Sequence, residues 1–150
     1  MIYQYTTADY LAAIDRELAK RATTYPKILA KMIKKDVEFE VYDDAVANQA
    51  DQIIWLKSSR IVFDTHIDFS IRYLVECFEE LLREYQMRRK CYPRFIMFKR
   101  ITAQTAEYEI SLWRELTVYF AKNYLGDDAM VAIEAIEMKP KKRTSHANPG

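Results

Sequence analysis

Only two glycines, Gly126 and Gly150, occur in 150 residues. Glycine is the residue that enters positive φ without strain, so a chain this poor in it has few sharp turns at its disposal. Glycine-rich phosphate loops, dinucleotide-binding turns and nucleophile elbows are all excluded. The dense turns of a β-sandwich or barrel are disfavoured for the same reason. What remains is a mainly helical chain. Half of the residues are hydrophobic and 30% are charged, a mixture that packs a core rather than staying disordered. The length suits one such core. Lys and Arg number 23 against 22 Asp and Glu, net +1, so no global field marks a nucleic-acid or membrane partner.

Helical periodicity runs through most of the sequence. Thr6 and Asp9 have capping-box spacing, and Leu11, Ile14 and Leu18 fall on one face, which predicts a helix from Thr7 to Arg21. Pro26 reads as the first turn of a second helix reaching Lys35. DVEFEVYDD, residues 36–44, alternates like a strand, and RIVFDTHI, residues 60–67, is its possible β-ribbon partner (37–42 with 60–67), with an extended loop as the alternative. Asp43 or Asp44 caps a third helix. Ile71, Leu74, Val75, Phe78, Leu81, Leu82 and Tyr85 carry the clearest apolar stripe, predicting a helix to about Lys90. Pro93 opens a further turn. Thr102 caps a helix that stops at Gly126, and a short helix follows Asp127 or Asp128. KPKKRTSHANPG, residues 139–150, reads as a disordered basic tail.

The chain also has an internal echo. Glu17, Arg21, Tyr25 and Pro26 match Glu84, Arg88, Tyr92 and Pro93, each pair 67 positions apart. A capping residue stands eleven positions before a tryptophan in both halves, Asp44 before Trp55 and Thr102 before Trp113. This predicts two helical-hairpin repeats, about 7–60 and 70–124, within one helical domain spanning 1–138. The expected fold is all-α, a bundle of five or six helices.

Met87, Arg88, Arg89, Tyr92, Pro93 and Arg94, then Ile101, Thr102, Ala106, Glu109 and Ile110, spell out M-R-R-x-V-Y-P-[RK] followed by I-T-x-x-x-A-x-x-E-I. This pattern resembles small uncharacterised phage and prophage helical proteins. Cys91 replaces the usual valine, and Lys99-Arg100 stands where a Gly-Lys pair usually precedes the I-T. The resemblance covers residues 87–116. It implies a phage-type origin and a helical hairpin, and no activity.

Residues 88–100 hold six cations and no acid: Arg88, Arg89, Lys90, Arg94, Lys99 and Arg100, interleaved with Tyr92, Phe95 and Phe98. The corresponding first-half stretch holds Lys27, Lys31, Lys34 and Lys35. If both clusters lie at one end of the bundle, they form a candidate phosphate-binding footprint, with the tail's Lys139, Lys141, Lys142 and Arg143 adding to it. The plainer reading is a solvated charged face, with the acids of residues 36–51 balancing it. Those acids lack the glycine and spacing of a calcium loop. His66, between Asp64 and Asp68, is the one place where an unrecognised enzyme site is conceivable, and it lacks a second structured histidine and a nucleophile motif.

No catalytic residue, metal set or cofactor is therefore expected. Cys77 and Cys91 fit no zinc or redox spacing. The first ten residues resemble no signal peptide, and no apolar run approaches the roughly 18 residues of a membrane span. The expectation is a cytoplasmic protein, of a bacterial host if the phage resemblance holds. It acts through self-association or a partner protein, a virion or assembly role included, with nucleic-acid binding as the alternative. Eleven tyrosines suit such interfaces.

Overall fold

A computed structural model describes residues 2–138. Five α-helices follow in order: α1 Thr7–Lys34, α2 Phe39–Thr65, α3 Ile71–Met97, α4 Ala103–Phe120 and α5 Met130–Met138. The fold is all-α. α1 to α4 form an up-down-up-down bundle in which α1 and α3 each neighbour both α2 and α4. A five-residue π turn (Ala121–Leu125) and a 3-10 turn (Asp127–Ala129) lead into α5. α5 docks on α3 and α4 through Glu137, which accepts from Tyr85 Oη at 2.6 Å and from Arg114 Nε at 2.5 Å.

Local chemistry sets the helix starts. Thr6 and Asp9 close a capping box on α1: Thr6 Oγ1 accepts from the Asp9 amide, and Asp9 Oδ2 from the Thr6 amide. Ser70 caps α3 through the Tyr73 amide, and Thr102 caps α4 through the Thr105 amide. The core is built from Tyr10, Ile14, Leu56, Phe63, Leu81, Trp113, Leu116, Phe120 and Ile133 among others.

The β-ribbon does not exist. No strand occurs among the described residues, and the candidate segments fall at the two ends of α2, which takes in residues 39–42 of one and 60–65 of the other. An alternating run needs a strand partner. Here the acids Glu38, at the N-cap, and Glu40, in the first turn, instead favour the positive end of a helix that starts at Phe39, ahead of the expected Asp43 or Asp44 cap. At the other end, Val62 and Phe63 point into the core and His66 closes the helix in the left-handed region.

The two prolines also start nothing. Pro26 lies inside α1 and Pro93 inside α3. A proline inside a helix loses one backbone hydrogen bond and costs about 3 kcal/mol. Each follows a tyrosine that is anchored to its surroundings. Tyr25 Oη donates to Gln52 Oε1 at 2.7 Å, and Gln49 Nε2 donates to the Tyr25 carbonyl at 3.2 Å. Tyr92 is buried, and its hydroxyl meets Arg88, which in turn bonds Glu17 of α1 and Glu109 of α4. Contacts to neighbouring elements thus hold each helix through its proline. The expected breaks at Arg21 and Lys90 are absent.

The helices end by a shared device. At the end of α1, the Val37 amide donates to the Met32 carbonyl and the Asp36 amide to the Ile33 carbonyl. At the end of α3, Arg100 donates to Phe95 and Lys99 to Ile96. Both are Schellman motifs. Asp36 (φ 54°) and Lys99 (φ 57°) occupy the left-handed position that glycine ordinarily fills. Gly126 sits at φ 110° after the π turn, the position foreseen as a helix stop.

Candidate functional site

α1 and α3 run parallel at opposite corners of the bundle, and each carries Glu-x-x-x-Arg on its core-facing stripe. In α1 the stripe reads Tyr10, Ile14, Glu17, Arg21; in α3 it reads Leu81, Glu84, Arg88, Tyr92. The four charges meet in the interior as a closed ring. Arg21 Nε donates to Glu17 Oε2 and its Nη2 to Glu84 Oε2, both at 2.9 Å. Arg88 Nε donates to Glu84 Oε1 and its Nη2 to Glu17 Oε1, both at 2.9 Å. Each glutamate therefore receives both arginines, one on each oxygen.

Further groups complete the ring. Glu80 lies 2.9 Å from Arg21 Nη2 and pairs with Arg83 at 2.6 Å. Arg88 Nη1 donates to Glu109 Oε2 at 2.9 Å and also meets the Tyr92 hydroxyl. The Arg21 Nη1 donates to the Gln52 carbonyl at 2.7 Å. Arg88 stacks on Trp113, its Cζ 4.6 Å from the ring centroid. The indole N–H of Trp113 is buried without a protein partner.

Burial sets the electrostatics. It pushes the Glu17 carboxyl above the ordinary range, and the neighbouring Glu84 charge adds to this. Burial acts on Glu84 as well, but Arg88 and Arg21 outweigh it and hold its carboxyl below the ordinary range. Burial works against the Arg21 charge, and Glu80 with Glu84 overcomes it, so the guanidinium stays charged. Desolvation pushes the Tyr92 hydroxyl up to about 12. A small cleft of about 200 Å³ opens beside the ring between Tyr25, Met87, Cys91 and Phe95. The arginines facing it are already spent on carboxylates.

Sequence reasoning took Glu17, Arg21, Glu84 and Arg88 as repeat markers and missed that they bond one another across the bundle. The signal was present: two charges stand on each apolar stripe, where only paired charges are stable. The within-helix pairs Glu80–Arg83 and Glu84–Arg88 are both formed.

The candidate phosphate-binding residues divide. Arg88 is withdrawn from that set, because it is buried and bonded to three carboxylates. Arg89 is half-buried over the Tyr85 ring. Lys90, Arg94, Lys99 and Arg100 are exposed, as are Lys27, Lys31, Lys34 and Lys35. The parallel course of α1 and α3 brings these two groups to the same end of the molecule. The N-terminal acids of α2 lie at that end too, between them in the chain order of the bundle. The basic tail lies outside the described residues.

That end has a second property. From Ala22 to Trp55 no residue is buried. Here α1 and α2 leave the shared core and continue as a two-helix arm. Its seam is half-buried, formed by Tyr25, Leu29, Met32, Tyr42, Ala45 and Gln49. Large apolar side chains flank the seam in solvent: Ile28, Ile33 (65% exposed), Phe39 (73% exposed), Val41, Val46 and Ile54.

His66 is exposed, with Nδ1 2.9 Å from Tyr124 Oη, and acts as the α2 cap. Trp113 is a core residue; Trp55 is only half-buried, edge-on to Tyr73. No group of three or more metal-ligating side chains occurs among the described residues, and none of their helices is long and apolar enough to cross a membrane. No family model, no curated protein and no solved structure matches the chain.

Proposed function

We propose that the chain is a non-enzymatic, phage-type accessory protein that works by protein–protein interaction through its α1–α2 arm. One observation carries the reading: 22–55 holds no buried residue yet displays six large apolar side chains to solvent. Exposed apolar side chains gathered on one projecting element mark an interaction site rather than ordinary surface scatter. The ion-pair ring supports it from the other side. Its buried charges neutralise one another, which gives a rigid base for the arm rather than a free acid or base for chemistry. The reciprocal bonding of Glu17–Arg21 and Glu84–Arg88 supports descent from a duplicated helical hairpin. A virion or assembly role in a bacterial host's cytoplasm fits the phage resemblance.

The test is residue-specific photo-crosslinking in cells from positions 33, 39 and 46, with exposed positions 79 and 134 as controls. The reading expects protein adducts from the arm and few from the controls. Equal labelling at all five positions would overturn it.

The exposed cations of α1 and α3 at one end favour a second reading, nucleic-acid binding. Fluorescence anisotropy with labelled DNA and RNA across a salt series decides it: binding that weakens steeply with salt supports it, and no binding at low salt removes it.

A further inference from the structure

The charges on the arm are sorted by helix. α1 carries Lys27, Lys31 and Lys34, and Lys35 as its C-cap, with no acid between Arg21 and that cap, and the arm portion of α2 carries Glu40, Asp43, Asp44 and Asp51 with no base before Lys57. Lys27, Lys31 and Lys34 recur at helical spacing along one outer stripe; Glu40, Asp44 and Asp51 do the same on α2, with Asp43 beside them. None of these eight side chains forms a salt bridge with another described residue. Phe39 and Val46, two turns apart on α2, line an apolar flank between the charged edges.

Such an element is complementary to itself in one arrangement. Two arms meeting flank to flank can be related by a two-fold axis across the helices or by one parallel to them. The first places α1 on α1 and sets lysine against lysine. The second places α1 on the α2 of the other copy, lysine edge against acid edge, and keeps equal heights along the arm. Those heights match. Tyr25 faces Gln52 within one arm, so antiparallel counting puts Lys27 level with residue 50 and Lys34 level with Asp43.

Resting on the interaction reading above, we infer that the arm's occupant is a second copy of this chain. Two α1–α2 arms pair about an axis parallel to the helices into a four-helix tip, its core Phe39, Val46 and Ile33, its edges Lys27–Asp51 and Lys34–Asp43 pairs between copies. The arm extends α1 by about 20 Å past Arg21 at 1.5 Å per residue. The resulting face is at the small end of specific interfaces, so the dimer is reversible and concentration-dependent.

Sedimentation velocity of the full chain at rising micromolar concentrations tests this, with two charge-reversed forms. One carries Lys27→Glu, Lys31→Glu and Lys34→Glu; the other carries Asp43→Lys, Asp44→Lys and Asp51→Lys. The expected result is a monomer–dimer equilibrium for the unaltered chain, monomer for each reversed form, and dimer restored when the two are mixed. Circular dichroism confirms that each form is folded, and Phe39→Ser, exposed in the monomer, supplies a second route to loss of the dimer. A monomeric unaltered chain, or dimers that survive both reversals, would overturn the inference. If the chain is monomeric while position 39 still crosslinks to other proteins, self-pairing fails and the interaction reading stands. If neither is seen, both fail.

Discussion

Arg21 and Arg88, on diagonally opposed helices, share the same two glutamates. Each bonds the glutamate one turn before it and the glutamate that precedes the other arginine. The ring is thus a connector between α1 and α3. Removing one arginine leaves two buried carboxylates sharing a single guanidinium. Arg21→Met and Arg88→Met are each expected to destabilise the fold by about 3–5 kcal/mol, more than their lost packing would suggest. A double-mutant cycle between Glu17 and Arg88, followed by urea unfolding, should give a coupling of about 0.5–3 kcal/mol. Glu79 paired with Arg88, nine residues apart on α3, is the control and should give none.

The two glutamates of the ring are not equivalent toward protons. Glu84 is held below the ordinary value of 4.5, so the stability it contributes is present above 4.5 and is lost as pH falls through its lower folded value. Glu17 is raised, so its contribution has the opposite sign: present at low pH and lost as pH rises through its raised value. Glu84→Gln is therefore expected to cost more stability at neutral pH than Glu17→Gln. It should also flatten the acid limb of the stability curve, whereas Glu17→Gln, by removing a like charge, should leave Glu84 more acidic and that limb steeper. Urea midpoints from pH 7 down to about pH 3 read both effects.

Helix existence was legible in the sequence, and helix length was not. The Thr6–Asp9 box, the Thr102 cap, the stripe from Ile71 to Tyr85 and the stop at Gly126 are local signals, each read within one or two turns. Pro26 and Pro93 misled because their local rule says stop, while Gln49 and Gln52 on α2 and the ring around Arg88 hold the chain helical through them. The alternation of Val37, Phe39 and Val41 misled for the opposite reason: no strand lies beside it, and acids at a helix N-terminus decided the outcome. The site was half legible. Spacing drew attention to Glu17, Arg21, Glu84 and Arg88, but their meaning needed the diagonal closeness of α1 and α3. The apolar arm was invisible, because nothing local in the sequence says that α1 and α2 outrun the core.

Lys99 stands at φ 57° at the end of α3, in the left-handed position that glycine ordinarily fills. A non-glycine residue there is strained by about 1 kcal/mol. Lys99→Gly is expected to raise stability by a few tenths to about 1 kcal/mol, since relief of that strain exceeds the added freedom of the unfolded chain. Asp36→Gly should act alike at the end of α1. Gly126→Ala should destabilise instead: an added Cβ meets nothing within 4 Å, so the penalty comes from φ 110° alone. Thermal melts of the three single variants give the signs directly.

The two thiols differ in what surrounds them. Cys77 is buried, and desolvation pushes its thiol up to about 11. Nucleophilic attack needs the thiolate and access, and Cys77 lacks both in the folded state. Cys91 is half-buried and lines the cleft beside the ion-pair ring. With a thiol-specific disulfide reagent at neutral pH, one thiol should react promptly and map to Cys91. Cys77 should react only as fast as the bundle opens. Its rate should therefore rise with urea, and should rise again in Arg88→Met, where the ring no longer ties α1 to α3. Prompt labelling of Cys77 in the intact protein would mean that α2 and α3 separate locally around Ser59 and Cys77 without global unfolding.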